Sequence, residues 1–256
     1  MNFAERGFKN TSKWIIFSLE NKTSPFAHDI QDIINSFKIE FRLYRREYYN
    51  DPKFNEDCFE TIFSIIAGGM ANGREKFQEL TTKLIPLNER IIENNEGMDN
   101  LLKDVKNLEL NETFHRYCHY YQMLWEGDYK FVKKNLLAMK SLREGENIAI
   151  TETLAVTVDN KKVESTTSLE EVIPTRLKTG EHLHLRNSIA HYNFKFISAE
   201  EKMEFWDLDP RTQKYSWELK KYTLEEFSKP LIEINLFCEA FGLIVLLLMA
   251  LSDLSK

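Results

Sequence analysis

The segment between residues 231 and 251 limits the possible folds of this chain more than any other stretch. It is strongly apolar, and the polar residues Glu233, Asn235 and Glu239 interrupt only its first half. The uncharged remainder, residues 240–252, is shorter than the roughly 20 apolar residues that a membrane-spanning helix needs. We therefore expect no membrane span, and a helix that is buried in a protein core or in a dimer interface.

Helical periodicity extends over much of the chain before this segment. Apolar residues recur at intervals of three and four in the first hundred residues, and again between about residues 111 and 142. The pattern breaks at residues 94–97, which are polar and end in a glycine. We therefore expect a mainly α fold, with an additional N-terminal helical region of unknown role at residues 1–108 and a helical bundle at residues 109–256.

Two stretches of the C-terminal part carry the signals of β-hairpins. Residues 148–158 are rich in β-branched side chains, and Asp159 and Asn160 follow them as a turn. Further along, a turn signal at residues 209–212 separates two short apolar stretches, and Phe194 begins another extended segment. The bundle should therefore include one or two small β-hairpins.

Composition favours the cytoplasm and gives no global attraction to nucleic acid. The cysteines, Cys58, Cys118 and Cys238, are far apart and lack the C-x-x-C spacing of metal and redox motifs. The first residues are charged and show no apolar signal core. Because the net charge is −6, any contact with a polyanion has to come from a local basic patch.

One basic patch lies in the predicted helix that ends near residue 142. Residues 130–143 include several lysines and one arginine but no acidic residue. Lys130, Lys133 and Lys134 are therefore candidates for contacts to a polyanionic substrate. A solvated helix end explains the same pattern about as well.

The same helix places two histidines on one face. His115 and His119 are four residues apart and can in principle share a metal ion. No carboxylate or cysteine completes the pattern as a third ligand, and an HExxH motif is absent. We therefore expect packing residues here, and neither a metal nor another cofactor.

The chemistry-bearing side chains of the chain are concentrated in the sequence RNSIAH, residues 186–191. A helix is predicted from about residue 180, so Asn187 and His191 lie on one face, four residues apart. The amide can then hydrogen-bond the imidazole and fix its tautomer. Arg186 lies about 140° around the helix axis from His191, and its long side chain can still reach a phosphate near the histidine.

These residue types suit the cleavage of RNA by internal transesterification. The reaction needs a base for the 2′-hydroxyl proton, an acid for the leaving 5′ oxygen and a cation for the charge that grows on the phosphate. Histidine titrates in the range for the first two tasks, and arginine suits the third. One helix supplies one histidine, so a symmetric dimer would fill these roles more readily than a single chain.

The segment from Arg186 to His191 resembles the motif of HEPN domains, in which four to six residues separate an arginine from a histidine and a polar residue often follows the arginine. The resemblance covers roughly residues 110–256, where a long helix, the motif helix, an extended segment and an apolar last helix follow in this order. It implies a helical homodimer that is formed through the C-terminal helices, with the motif at a cleft between the two chains.

The resemblance also implies a metal-independent endoribonuclease in phage defence, abortive infection or a toxin–antitoxin system. RNA would be the substrate, and an antitoxin or another defence protein would be a partner. Arg186 would contact the phosphate, Asn187 would orient the imidazole, and His191 would act as acid and base.

Three alternatives remain open from the sequence. Arg176 and His182 have the same motif spacing, although Gly180 interrupts that span and it straddles the predicted helix start. A non-catalytic module could use the motif helix to bind RNA, a nucleotide or a protein. In a purely structural role, Arg186 would pair with a carboxylate and His191 would be satisfied in the core.

Overall fold

The structure is a computed structural model that describes residues 51–73, 75–80, 82, 105–146, 148–150, 156–158, 161–162, 172–178, 180–209, 211–212 and 214–254. Within these ranges the chain is mostly helical, with two small antiparallel sheets. This confirms the mainly α fold class. The helices expected in residues 1–50 and the break at residues 94–97 lie outside the described ranges.

The α-helices are α1 (Pro52–Asn72), α2 (Leu110–Leu124), α3 (Lys130–Arg143), α4 (Gly180–Ala190) and α5 (Leu224–Leu254), and residues 75–80 are also helical. A π-helical segment, Trp125–Tyr129, joins α2 directly to α3. The long helix predicted between residues 111 and 142 is therefore confirmed, with an interruption in its hydrogen-bond ladder that the apolar pattern did not reveal. Such π segments are frequent at functional sites.

Helix α1 begins where Asp51 accepts a hydrogen bond from the backbone N–H of Phe54 at 3.0 Å, and Pro52 occupies the first turn. The adjacent glycines Gly68 and Gly69 predict a helix end at this point, but α1 continues to Asn72. The reason is packing, because a Cβ at Gly69 would lie 2.8 Å from the carbonyl oxygen of Met139 in α3. The glycine therefore permits a close helix crossing and does not end the helix.

Helix α1 shares one hydrophobic core with the C-terminal part of the chain. It packs against both α3 and α5, and its buried Phe59 and Ile62 join the same cluster as Leu136 and Phe241. Helix α1 therefore packs into the same core as the helices of residues 109–256.

The strands form two sheets, β1 (Ile148–Ile150), β2 (Val156–Val158) and β3 (Lys161–Lys162), and then β4 (Phe194–Ile197), β5 (Lys202–Leu208) and β6 (Tyr215–Tyr222). The two predicted hairpins are present as β2–β3 and β5–β6. The run 148–158 is not a single strand, however, because β1 pairs with β2 in antiparallel register, with Ile150 opposite Val156.

Thr223 and Glu226 have the sequence spacing of a capping box, which predicts a helix start, and α5 begins there. The backbone N–H of Thr223 donates to Glu226 Oε2 at 2.8 Å, and the N–H of Glu226 donates to Thr223 Oγ1 at 3.2 Å. Residues 236–245 of this helix are all buried within the single chain. A dimer contact through that part of α5 therefore has no exposed apolar face to use.

No helix in the described part of the chain has the length and apolarity that a membrane crossing requires. Helix α5 carries Glu233 and Glu239 inside the core, and Glu233 forms ion pairs there.

Candidate functional site

Helix α4, which carries the motif residues, lies between α2 and the sheet of β4, β5 and β6. Leu185 and Ile189 anchor it in the core. Leu183 lies on the opposite side of the helix and is 47% exposed. The motif helix therefore has one buried side and one side that faces solvent.

Arg186 is bound by a carboxylate from the π-helical segment. Its Nε and NH2 atoms each lie 2.5 Å from Glu126 Oε1, and its NH1 donates to Asn187 Oδ1 at 2.9 Å. Lys130 pairs with the other oxygen of Glu126. Partial burial would raise the pKa of Glu126, but the hydrogen bonds and charges of Lys130 and Arg186 outweigh it and lower that pKa. The guanidinium is thus fixed in place and charge-compensated.

Asn187 does not make the hydrogen bond to His191 that the helix spacing suggested. Its Nδ2 donates to Asp207 Oδ2 at 3.1 Å, while its Oδ1 accepts from Arg186. The backbone carbonyl of Asn187 accepts the backbone N–H of His191 at 3.0 Å. Asn187 therefore connects the arginine to the sheet and leaves the imidazole without an amide partner.

His191 is exposed at the C-terminal end of α4. Its imidazole makes no hydrogen bond or ion pair with the residues that the structure describes. The chain leaves the helix through Tyr192, which has a φ of +57°, and the N–H of Asn193 donates to the carbonyl of Ser188 at 2.7 Å. This is a Schellman-type helix end, in which glycine is the usual residue at the left-handed position. Tyr192 is 83% exposed, and its ring stacks on that of Phe194 with centroids 6.4 Å apart.

A second histidine of α4 has the fixed orientation that we had expected of His191. His184 Nδ1 lies 2.8 Å from Asp207 Oδ2, and the imidazole stacks on Trp217 with ring centroids 5.4 Å apart and planes 11° apart. Asp207 is only 4% exposed. With Nδ1 on the carboxylate, Nε2 is the nitrogen that remains open, and the orientation is that of a positioned acid or base.

The sequence contained one signal for this His–Asp pair. In β5, Met203, Phe205 and Asp207 alternate along the strand, so the acid falls on the face that the two apolar residues bury. A buried carboxylate requires a hydrogen-bonding partner. The partner itself, His184, could not be read from the sequence because it depends on how α4 lies across the sheet.

No family model, curated protein or solved structure matches this chain.

The lysine patch is only partly directed to solvent. Lys130 is half-exposed and paired with Glu126. Lys133 is buried, and its ammonium lies 4.7 Å from the ring centroid of Tyr129 and 5.9 Å from that of Trp125. This placement does not support Lys133 as a substrate contact. Lys134 is half-buried.

His115 and His119 are exposed on α2. The imidazole of His115 contacts the ring of Phe194, with centroids 5.5 Å apart. Within the described ranges, no three histidine, cysteine or carboxylate side chains are grouped so that they could hold a metal ion.

The alternative pair, Arg176 and His182, meets at a buried carboxylate. Arg176 Nε lies 2.7 Å from Glu233 Oε1, and His182 Nε2 lies 3.2 Å from Glu233 Oε2. On its other side, His182 Nδ1 lies 3.2 Å from the hydroxyl of Tyr121, and burial raises the pKa of that hydroxyl. His182 is 3% exposed, so it is not accessible to a substrate, whereas Arg176 is exposed.

Proposed function

We propose that this protein is a metal-independent endoribonuclease of the HEPN type that cleaves RNA through attack of the 2′-hydroxyl. The observation that carries the proposal is the pairing, on one accessible helix, of a positioned arginine with an exposed histidine. Arg186 is fixed by Glu126 and Asn187, and His191 stands open at the helix end.

The chemistry requires a cation next to the phosphate and a titrating group next to each reacting oxygen. Arg186 supplies a forked, permanently charged donor, and its side chain is 28% exposed. His191 supplies proton transfer, which contributes about 10²–10⁴-fold to rates of this kind. Asn187 holds Arg186 in this proposal, a role different from the orientation of His191 that we expected from the sequence.

Two copies of the chain would act together, because one α4 presents one exposed motif histidine. In a cell, an enzyme of this type would serve phage defence or a toxin–antitoxin system in the cytoplasm, and an antitoxin or another defence protein would control it. Expression of the wild-type chain should then stop growth, and His191→Ala should relieve the arrest.

The test of the activity is cleavage of a mixture of tRNA and mRNA by the purified protein. We expect cleavage that persists in EDTA and that His191→Ala lowers about 100-fold or more. His119→Ala is a matched control, since it removes an exposed histidine from a neighbouring helix. Intact RNA with a folded wild-type protein, or equal rates for wild type and His191→Ala, contradicts the proposal.

A second candidate is a non-catalytic module that binds RNA, a nucleotide or a protein. The pairing of Arg186 with Glu126 favours it, because a compensated guanidinium has less charge to offer a transition state. A binding module should shift labelled RNA or nucleotide in a binding assay while it leaves the RNA intact. His191→Ala should then not change growth on expression.

A further inference from the structure

His184 has the geometry of a proton-transfer residue. The carboxylate of Asp207 accepts from Nδ1 and is itself held by Asn187 Nδ2. Trp217 covers one face of the imidazole. These contacts fix the tautomer with the proton on Nδ1 and leave Nε2 as a base.

The open nitrogen of His184 faces the first turn of α4. A Cβ built at Gly180 would lie 3.6 Å from both Nε2 and Cδ2 of His184. Because residue 180 has no side chain and is exposed, a substrate group can approach Nε2 from that end. Nε2 of His184 makes no hydrogen bond or ion pair with the residues that the structure describes.

Within one chain, His184 and His191 cannot act on the same phosphate. They are seven residues apart, which places them roughly 10 Å apart along the helix axis. The direction of His184 toward Gly180 increases the separation, since His191 lies at the other end of the helix. A base and an acid for one phosphodiester must lie on either side of it.

We propose that His184 of one chain and His191 of a second copy form one composite catalytic site, in which His184 is the base and Asp207 is a positioning residue. This inference rests on the proposed ribonuclease function. When two α4 helices lie antiparallel about a twofold axis near Arg186 and Asn187, the first turn of one helix meets the last turn of the other.

The exposed side of α4 is suited to this pairing with a second copy. Leu183 and Ala190 are equally far in sequence from the midpoint between Arg186 and Asn187. When two α4 helices lie antiparallel about that midpoint, the exposed Leu183 of each chain therefore faces Ala190 of the other. The two arginines near the axis do not repel strongly, because each is paired with Glu126 of its own chain.

The reaction then balances without another reactant. Nε2 of His184 takes the proton of the 2′-hydroxyl, and the 2′ oxygen forms a bond to phosphorus. The bond from phosphorus to the 5′ oxygen breaks, and that oxygen takes a proton from protonated His191 of the second copy. The products are a 2′,3′-cyclic phosphate and a 5′-hydroxyl, while Arg186 stabilises the charge that grows on the phosphate.

Complementation between two inactive variants tests the composite site. His184→Ala and His191→Ala should each cleave RNA about 100-fold more slowly than wild type. After the two proteins are unfolded and refolded together, half of the dimers are mixed and each has one intact site of two, so about a quarter of the wild-type rate should return. A mixture that stays as slow as the separate variants contradicts a site shared between chains.

Further variants separate catalysis from folding. Imidazole in the buffer should restore part of the rate of His184→Ala, and Asp207→Asn should change the pH dependence of the rate. Gly180→Leu, which leaves His184 in place but covers Nε2, should slow cleavage about tenfold or more. His119→Ala should cleave at the wild-type rate.

The outcomes also separate this inference from the proposed function. Wild-type protein that leaves RNA intact removes both. Wild-type cleavage together with an unchanged rate in His184→Ala removes only the composite site. A slow His184→Ala that imidazole does not restore, and whose residual rate keeps the wild-type pH dependence, assigns His184 a structural role and overturns the inference.

Discussion

At the scale of single residues, Glu126 determines how Arg186 is presented to solvent. Its carboxylate lies between Arg186 and Lys130, and its pKa is lower in the folded chain than its ordinary value of 4.5. A carboxylate of this kind stabilises the folded state above that ordinary value. The contribution is lost as the pH falls through the folded-state pKa.

Glu126→Gln should therefore lower the free energy of unfolding at pH 7 by about 0.5–1 kcal/mol, because the ion pairs are partly exposed. The difference from wild type should shrink as the pH falls below 4.5 and through the lower folded-state pKa of Glu126, where the carboxylate of the folded chain becomes protonated. Urea denaturation at several pH values measures it. Glu112→Gln, which removes an exposed ion pair with Arg116, is the control. A loss of unfolding free energy in Glu126→Gln that does not vary with pH contradicts the account.

The left-handed backbone of Tyr192 gives a second prediction at this scale. A φ of +57° costs a non-glycine residue about 1–2 kcal/mol, so Tyr192→Gly should stabilise the fold by about 1 kcal/mol after the entropy of the added glycine is included. Gly145→Ala is the matched opposite, since Gly145 has a φ of +78°, and it should destabilise. Thermal unfolding measures both, and a lower melting temperature for Tyr192→Gly contradicts the assignment of strain.

His191→Ala should hardly change stability, because the imidazole is exposed and makes no hydrogen bond to the described residues. We expect a change within about 0.5 kcal/mol in the free energy of unfolding. The structural alternative, with His191 satisfied in a core, predicts a loss of about 1–3 kcal/mol. Chemical denaturation of the variant therefore decides between these two roles independently of any activity.

At the scale of elements, Gly68 and Gly69 of α1 lie where this helix crosses α3. A Cβ at Gly69 would meet the fixed backbone of Met139 in α3, whereas a Cβ at Gly68 would meet the movable side chain of Arg143. Gly69→Ala should therefore destabilise by about 1–3 kcal/mol. Gly68→Ala should be close to neutral, since the gain in helix propensity offsets the rotation of Arg143. Equal effects in the two variants contradict the close helix crossing.

The local sequence predicted where these elements begin and turn, but it did not predict which other elements they contact. The capping box at Thr223 and the turn after Asp209 depend on neighbours in sequence, and the structure contains both. The predicted end of α1 at Gly68 and Gly69 was wrong, because the role of Gly69 depends on its contact with α3, about 70 residues away in sequence. The π segment before α3 has no apolar signature at all.

The candidate site was predictable to the same extent. The helix α4 was predictable from its local sequence, whereas the choice between an exposed and a buried His191 stayed open until the structure placed it at the surface. Sequence reasoning assigned the amide of Asn187 to the imidazole, whereas Asp207 in the sheet accepts it. It also passed over His184, whose role arises only when β5 places a buried carboxylate next to it.

At the scale of the whole molecule, a buried polar cluster connects α2, α4 and α5. Glu233 of α5 accepts contacts from both Arg176 and His182, and Tyr121 of α2 contacts the other side of His182. Removal of one member leaves buried charge or donors without their partner. The cluster should therefore be one of the main polar contributions to the stability of the bundle.

Glu233→Ala should lower the free energy of unfolding by about 1–3 kcal/mol, because it leaves the buried imidazole of His182 without its partner, while Arg176 is exposed. Glu200→Ala removes an exposed carboxylate that pairs with Lys221, and it should cost much less. Urea denaturation at pH 7 measures both variants. A loss below about 1 kcal/mol for Glu233→Ala contradicts the structural assignment of the Arg176–His182 pair.

His184 and His191, toward the two ends of α4, are proposed to cleave RNA through attack of the 2′-hydroxyl, and this is the central claim for the whole molecule. The most direct measurement is mass spectrometry of a short RNA after incubation with wild-type protein in EDTA, next to the same RNA with a single 2′-deoxy nucleotide. The account predicts fragments that end in a 2′,3′-cyclic phosphate, and no cleavage at the 2′-deoxy position. Intact RNA, or fragments with a 5′-phosphate, would contradict it.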